Sequence, residues 1–189
     1  MADYHFTTMW EFTASPGRVW DYVGDPIRWT DFWPGLKDVR LLDGPGAGGE
    51  GSTYLFVFKS FLPYELSLEG HVVSSEPPHL LVIETVGELE GTGTFHLEVP
   101  AKGIARTSLK WDTRTTVLWM NVVAPLMRGL FEWNHDFLMK QAGNGLAERI
   151  DARVVHKEAT GTSLFRAVMP FVGHFLCSVD AGQVPEPLG

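Results

Sequence analysis

Between Tyr4 and Arg114 the chain sorts its residues two by two, and no other feature limits its fold so tightly. The pattern is cleanest over residues 104–114. There Ala105, Thr107, Leu109, Trp111 and Thr113 oppose Arg106, Ser108, Lys110, Asp112 and Arg114. A period of two is the mark of a strand with one buried face. The same alternation sets Phe6, Thr8, Trp10 and Phe12 against His5, Thr7, Met9 and Glu11. It recurs over residues 52–59 (Tyr54, Phe56, Phe58), 64–72 (Tyr64, Leu66, Leu68, Val72), 79–86 (Leu81, Ile83, Thr85) and 91–99 (Phe95, Leu97). A further strand begins at Val39 and Leu41.

The strands follow one another across short turns such as Glu76-Pro77-Pro78 and Lys102-Gly103. Parallel pairing needs long crossovers, so the order predicts an antiparallel meander. Two short helices interrupt it after the first strand. Ser15-Pro16 starts one with the stripe Val19, Trp20 and Val23, and Asp25 caps a second carrying Ile27, Trp29, Phe32 and Trp33. After the strands comes one long helical stretch, residues 118–150. Pro125 predicts a kink or a start within it, and Gly143-Asn144-Gly145 weakens its last third. A large twisted sheet curls, and its concave face must be covered. This helix is the element available, so the fold class is α+β: a curved antiparallel sheet wrapped around a long C-terminal helix.

Composition narrows the function. The 189 residues suffice for one domain with a sizeable core. Net charge is −8 and no Lys/Arg stripe is present, which argues against nucleic acid as a partner. Cys177 is the single cysteine, so neither an internal disulfide nor a Cys-rich zinc site forms. The seven histidines are scattered, with His5, His71 and His96 facing solvent by parity, and no metal site is expected. The N-terminus lacks the pattern of a signal peptide, and a cytoplasmic location is the expectation. Residues 163–179 are apolar but too short and interrupted for an integral membrane span, and read instead as an amphipathic helix. Oligomeric state is left open.

The Phe12-Thr13-Ala14-Ser15-Pro16 run with Val19-Trp20, Asp25, Trp29, Trp33-Pro34-Gly35, Val39 and Leu41-Leu42 carries a resemblance. So do Gly49-Glu50-Gly51-Ser52, Trp133-Asn134-His135-Asp136 and Leu146-Ala147. On these residues the chain resembles the START-like (SRPBCC) superfamily: polyketide cyclase/dehydrase, lipid-transfer and pollen-allergen proteins. The resemblance spans about residues 4–150 and implies the helix-grip fold. It divides the chain into a START-like domain, 1–150, and a C-terminal extension, 151–189, amphipathic and then disordered. Within the extension, residues 158–161 resemble a linker. The resemblance specifies fold better than function, because the superfamily holds binders, transporters, cyclases and chaperone activators.

The inward face carries aromatics and threonines, with no carboxylate or lysine on it. Such a face suits an apolar ligand better than proton transfer. The expected lining is Trp10, Tyr54, Phe56, Tyr64, Leu66, Ile83, Phe95, Thr107 and Trp111 from the sheet, and Met127, Leu130, Asn134 and Leu138 from the helix. Hydroxyls of Tyr54, Tyr64, Thr85, Thr107 and Thr113 are candidate anchors. At 100° per residue, Trp119, Val123, Met127, Leu130, Asn134, Phe137, Leu138 and Gln141 share the helix face toward the sheet. Asn134 then binds either a ligand or a strand carbonyl. His135 falls on the margin and Asp136 outside, so the pair is not expected to act as an acid–base unit. The apolar tail stripe (Leu164, Phe165, Val168, Met169, Val172, Phe175, Leu176) is expected to pack against a second helix edge, Met139, Leu146 and Ile150; the alternatives are pairing with another chain and contact with a membrane surface, which the acidic balance disfavours.

Gly46-Ala47-Gly48-Gly49-Glu50-Gly51 fits G-x-G-x-x-G, but a strand follows where a phosphate-binding helix is needed. It is either a mobile loop at the cavity mouth or a plain connection. No catalytic residue, nucleophile or cofactor is called for. The expectation is binding or transport of a small hydrophobic molecule, such as a lipid, isoprenoid or polyketide-like compound, in an internal cavity. The alternatives are a cyclase/aromatase-like enzyme working in that cavity by positioning, and a protein-interaction module using the outer face.

Overall fold

A computed structural model describes residues 3–59, 65–116 and 118–161, with side chains for all of these but 118–132 and 160–161. Eight strands form a single antiparallel sheet in the order β2-β3-β4-β5-β6-β7-β1-β8. The strands are β1 (Asp3–Phe12), β2 (Leu36–Asp43), β3 (Thr53–Lys59), β4 (Glu65–Glu76), β5 (Leu80–Gly87), β6 (Leu89–Ala101), β7 (Ile104–Thr115) and β8 (Val154–Gly161). From β2 to β7 every strand pairs with the next in sequence, as the short turns require. β1 then closes onto β7, with Trp10 opposite Thr107 and Phe6 opposite Trp111.

The expected parity holds. Phe6, Trp10 and Phe12 on β1, Tyr54 and Phe56 on β3, and Ala105, Thr107, Leu109 and Thr113 on β7 are all buried. Between β1 and β2 lie α1 (Pro16–Val23) and a 3-10 helix (Pro26–Asp31). The Asp25 carboxylate accepts the Ile27 N–H at 3.1 Å and so caps the latter. Its Trp29 is the centre of the core. The ring lies 5.1 Å from Phe95, 5.5 Å from Phe56 and 5.8 Å from Trp33, and its Nε1 donates to Val23 O at 2.9 Å.

The long helix α2 runs unbroken from Leu118 to Arg149, so Pro125 lies inside it rather than starting it. At Gly143 and Gly145 it lies close against its neighbours. A Cβ on Gly143 would lie 2.6 Å from the Trp10 ring, and one on Gly145 would lie 2.4 Å from Phe32 O. The Trp10 indole meanwhile donates to Met139 O at 3.1 Å. These glycines cost helix propensity but let the helix seat on the sheet.

Two expectations are corrected here. The inward face of α2 is turned from the one expected: Met139, Ala142, Leu146 and Ile150 are buried in the core, whereas Phe137 is 44% exposed and stacks on Trp133. The apolar tail segment expected to pack against Met139, Leu146 and Ile150 lies outside the described residues. The segment expected as a linker, 158–161, is instead part of β8, paired with β1 from Phe6↔Gly161 to Phe12↔Val154. The helix end explains how the chain gets there. Asp151 adopts φ 48°, while Ala152 N–H reaches Ala147 O and Asp151 N–H reaches Glu148 O, which is a Schellman turn. Arg153 then exchanges hydrogen bonds with Thr13, 3.0 Å each way, and registers β8 against β1. The amphipathic helix and disordered end expected farther on lie outside the described residues.

Candidate functional site

The sheet and helix line a half-open cavity of about 200 Å³ at one end of the concave face. Its walls come from β1 (Tyr4, Phe6), the connection before β2 (Trp33), β3 (Phe58, Lys59), β4 (Leu66), β6 (Leu89), β7 (Trp111, Thr113) and α2 (Asn134, His135, Leu138, Met139). The local geometry is aromatic. Phe58 meets Trp33 and Trp111 edge-on, with centroids 6.0 and 6.5 Å away, and Tyr4 stacks on Phe6 at 6.0 Å.

The other end of the concave face is filled. Between Trp29, Phe56, Ile83, Thr85, Gly93, Phe95 and Trp111 only about 10 Å³ remains, room for a single water at most. The void expected under the whole sheet is thus confined to the Tyr4–Trp111 end. The reason is Trp29, which the 3-10 helix inserts between Phe56 and Phe95.

Of the residues expected to line the site, the structure brings Leu66, Trp111, Asn134 and Leu138 together on the cavity wall. Phe56, Ile83 and Phe95 belong to the filled end. Trp10 is held by Met139 O, Thr107 is buried off the wall, and Tyr54 faces the glycine-rich loop. Tyr64 and the side chains of Met127 and Leu130 lie outside the described residues. The wall residues Tyr4, Phe6, Trp33, Lys59, Leu89, His135 and Met139 were not in the expected lining, whereas Phe58 was among the aromatics expected to face inward and Thr113 was a candidate anchor. For Phe6, Phe58 and Thr113 the strand parity already pointed inward.

Tyr54 turns its hydroxyl to the glycine-rich loop and does not reach the cavity wall. Its hydroxyl accepts the Gly48 N–H at 2.8 Å, and Ser52 Oγ accepts the Gly46 N–H at 3.0 Å. Burial pushes the Tyr54 phenol above its ordinary pKa, because the phenolate would lose its hydration. The glycine-rich loop is consequently a pinned connector that contributes nothing to the cavity wall. Thr113 and Thr85 donate their hydroxyls to Glu90 O at 3.1 Å and Gly91 O at 3.4 Å.

The helix side of the cavity departs most from expectation. His135 lines the wall, its ring stacked on Phe6 at 3.8 Å and 15°. Asp136 does not project freely outward: its side chain is 22% exposed and His135 17%, with Nδ1 to Oδ1 at 3.6 Å. Asn134 engages no strand carbonyl among the described residues.

The family model for polyketide cyclase / dehydrase and lipid transport matches residues 4–150. The chain belongs to this family. The superfamily resemblance and the helix-grip architecture therefore both stand. Among solved structures, a protein of Thermus thermophilus superposes with a TM-score of 0.65 at 15% identity, covering 77% of this chain and 96% of that one. An aromatase/cyclase of Streptomyces sp. R1128 superposes at 0.60 and 13%, covering 78% and 94%. A protein of Geobacillus kaustophilus gives 0.59 and 13%, covering 80% and 99%. At these identities the likeness is one of fold. No curated protein matches the chain. Among the described residues no helix is long and apolar enough to cross a membrane.

Proposed function

We propose that this family member binds a compact, mostly apolar molecule in the cavity between β1, β7 and α2. The observation that carries the reading is the wall itself: Tyr4, Phe6, Trp33, Phe58 and Trp111 around about 200 Å³ that no described side chain fills. Apolar pockets with a few polar groups are the usual form of small-molecule sites. A dry cavity of about 150 Å³ already admits a benzene-sized molecule. The volume here favours one or two rings over a long acyl chain.

The test is native mass spectrometry of the purified full chain, followed by titration of small aromatics read by NMR. Leu66→Trp puts an indole into the space and is expected to weaken binding at least tenfold without lowering thermal stability. Binding that Leu66→Trp does not disturb would place the ligand elsewhere.

A further inference from the structure

The cavity is open on one side, and apolar wall residues remain partly in water. Phe58, Leu66, Leu89 and Trp111 are only half-buried. Apolar surface left wet at such a mouth is a cost that a covering segment removes.

The course of β8 points to the segment. It pairs antiparallel with β1 from Phe12↔Val154 to Phe6↔Gly161, so the chain arrives at Gly161 beside Phe6, a wall residue. The strand also runs back along α2, where Lys157 Nζ donates to Asn144 Oδ1 at 2.9 Å. From Lys157 to Gly161 it advances about 13 Å, the rise of about nine helical residues. That brings Gly161 level with His135, on the opposite wall.

The sequence that follows suits this surface. Leu164, Phe165, Val168, Met169, Val172 and Leu176 recur at three- and four-residue spacings, and Arg166 is the only charged residue among residues 164–176. Leu164 follows Gly161 by three positions, a reach of about 10 Å. So short a tether holds the stripe near the mouth at high effective concentration. Ile150, by contrast, precedes the far end of β8, about 23 Å back along the strand.

We infer that residues 163–176 of the same chain dock across the open mouth, against Phe58, Leu66, Leu89 and Trp111. The inference stands on the wall and on β8, not on the proposed ligand.

The native Cys177 lies one residue past the segment and carries the probe. A nitroxide attached to it in the full chain is expected to erase the methyl NMR signals of Leu66 and Leu89. The signal of Leu81, opposite Phe95 at the filled end, should remain. Phe165→Asp with Val168→Asp, in the full chain, should restore the Leu66 and Leu89 signals. Signals that persist beside the native tail, or that stay lost in the substituted chain, overturn the inference. Two further outcomes also overturn it. Loss of the signals from an isotope-labelled chain without nitroxide, mixed with nitroxide-bearing chains, would give the mouth to a second copy. Their return on adding phosphatidylcholine vesicles would give the stripe to a membrane surface. None of these readings needs a ligand, so failure of the proposed binding leaves the covered mouth standing, and the reverse holds too.

Discussion

Thr107 and Thr113 stand on the same strand and the same face, yet their hydroxyls have opposite fates. Thr113 donates to Glu90 O at 3.1 Å, whereas Thr107 Oγ1 is buried with no partner among the described residues. A buried hydroxyl without a partner carries its desolvation cost for nothing in return, and valine has the same shape without that cost. Thr107→Val should therefore raise unfolding stability by about 1 kcal/mol, while Thr113→Val should lower it by about the same amount. Urea denaturation of both variants checks the opposite signs, and a loss in both would refute the argument. Parity along β7 told which residues turn inward, because side chains alternate by geometry alone. It carried no information on which inward polar atoms find partners. The same limit applied to Tyr54, whose burial was legible but whose hydroxyl serves Gly48. It applied to His135 as well, since the stack on Phe6 joins residues far apart in the chain.

At the scale of elements, what was legible followed from periodicity and what was missed followed from contact. The strands β1 to β7 and the capped 3-10 helix carry their signals within a few residues. The inward face of α2 does not. A helix with apolar residues on several sides permits more than one rotation, and the choice is made by Trp10, which seats at Gly143 and binds Met139 O. Likewise the end of β8 reads as a linker in the sequence, because Val154, Val155 and Ala159 are the strand's few apolar residues and Ala159 alone among them is buried. Its strand character comes from the edge that β1 offers. The glycine-rich loop is the element whose role departs most from the sequence pattern. Gly48 has φ +69°, and a Cβ there would lie 1.8 Å from Gly24 O, so only glycine lets the loop lie against the turn after α1. Gly51 has φ +82° with open space around it. Gly48→Ala is expected to cost more than about 2 kcal/mol, from left-handed strain plus displacement of the backbone. Gly51→Ala should cost about 1 kcal/mol, the strain alone. Thermal unfolding of the two variants separates these contributions, and equal losses would mean that the loop is not pinned at Gly48.

Across the whole molecule, packing and vacancy are divided between the two ends of one concave face. The end around Trp29, Phe56 and Phe95 is filled to within about 10 Å³ and holds the sheet to α1 and the 3-10 helix. The end around Phe6, Leu66 and Trp111 keeps about 200 Å³ free. The superfamily architecture was legible in the order of elements, but this division was not, since parity gives directions and not volumes. It predicts that truncations will separate stability from binding. Phe95 is 2% exposed with close neighbours, so Phe95→Ala removes contacts and opens a void, at a cost of about 3–5 kcal/mol. Leu66 is half-buried and borders space that is already empty. Leu66→Ala therefore loses mainly its transfer free energy, about 1–2 kcal/mol. It also widens the cavity, so two-ring ligands should gain affinity relative to one-ring ligands in the Leu66→Ala variant, with no such gain expected in Phe95→Ala. Urea unfolding and NMR titration of both variants supply the two readings. Equal stability losses, or a gain for two-ring ligands in Phe95→Ala, would mean that the filled end and the empty end exchange volume freely and that the cavity has no fixed boundary at Trp111.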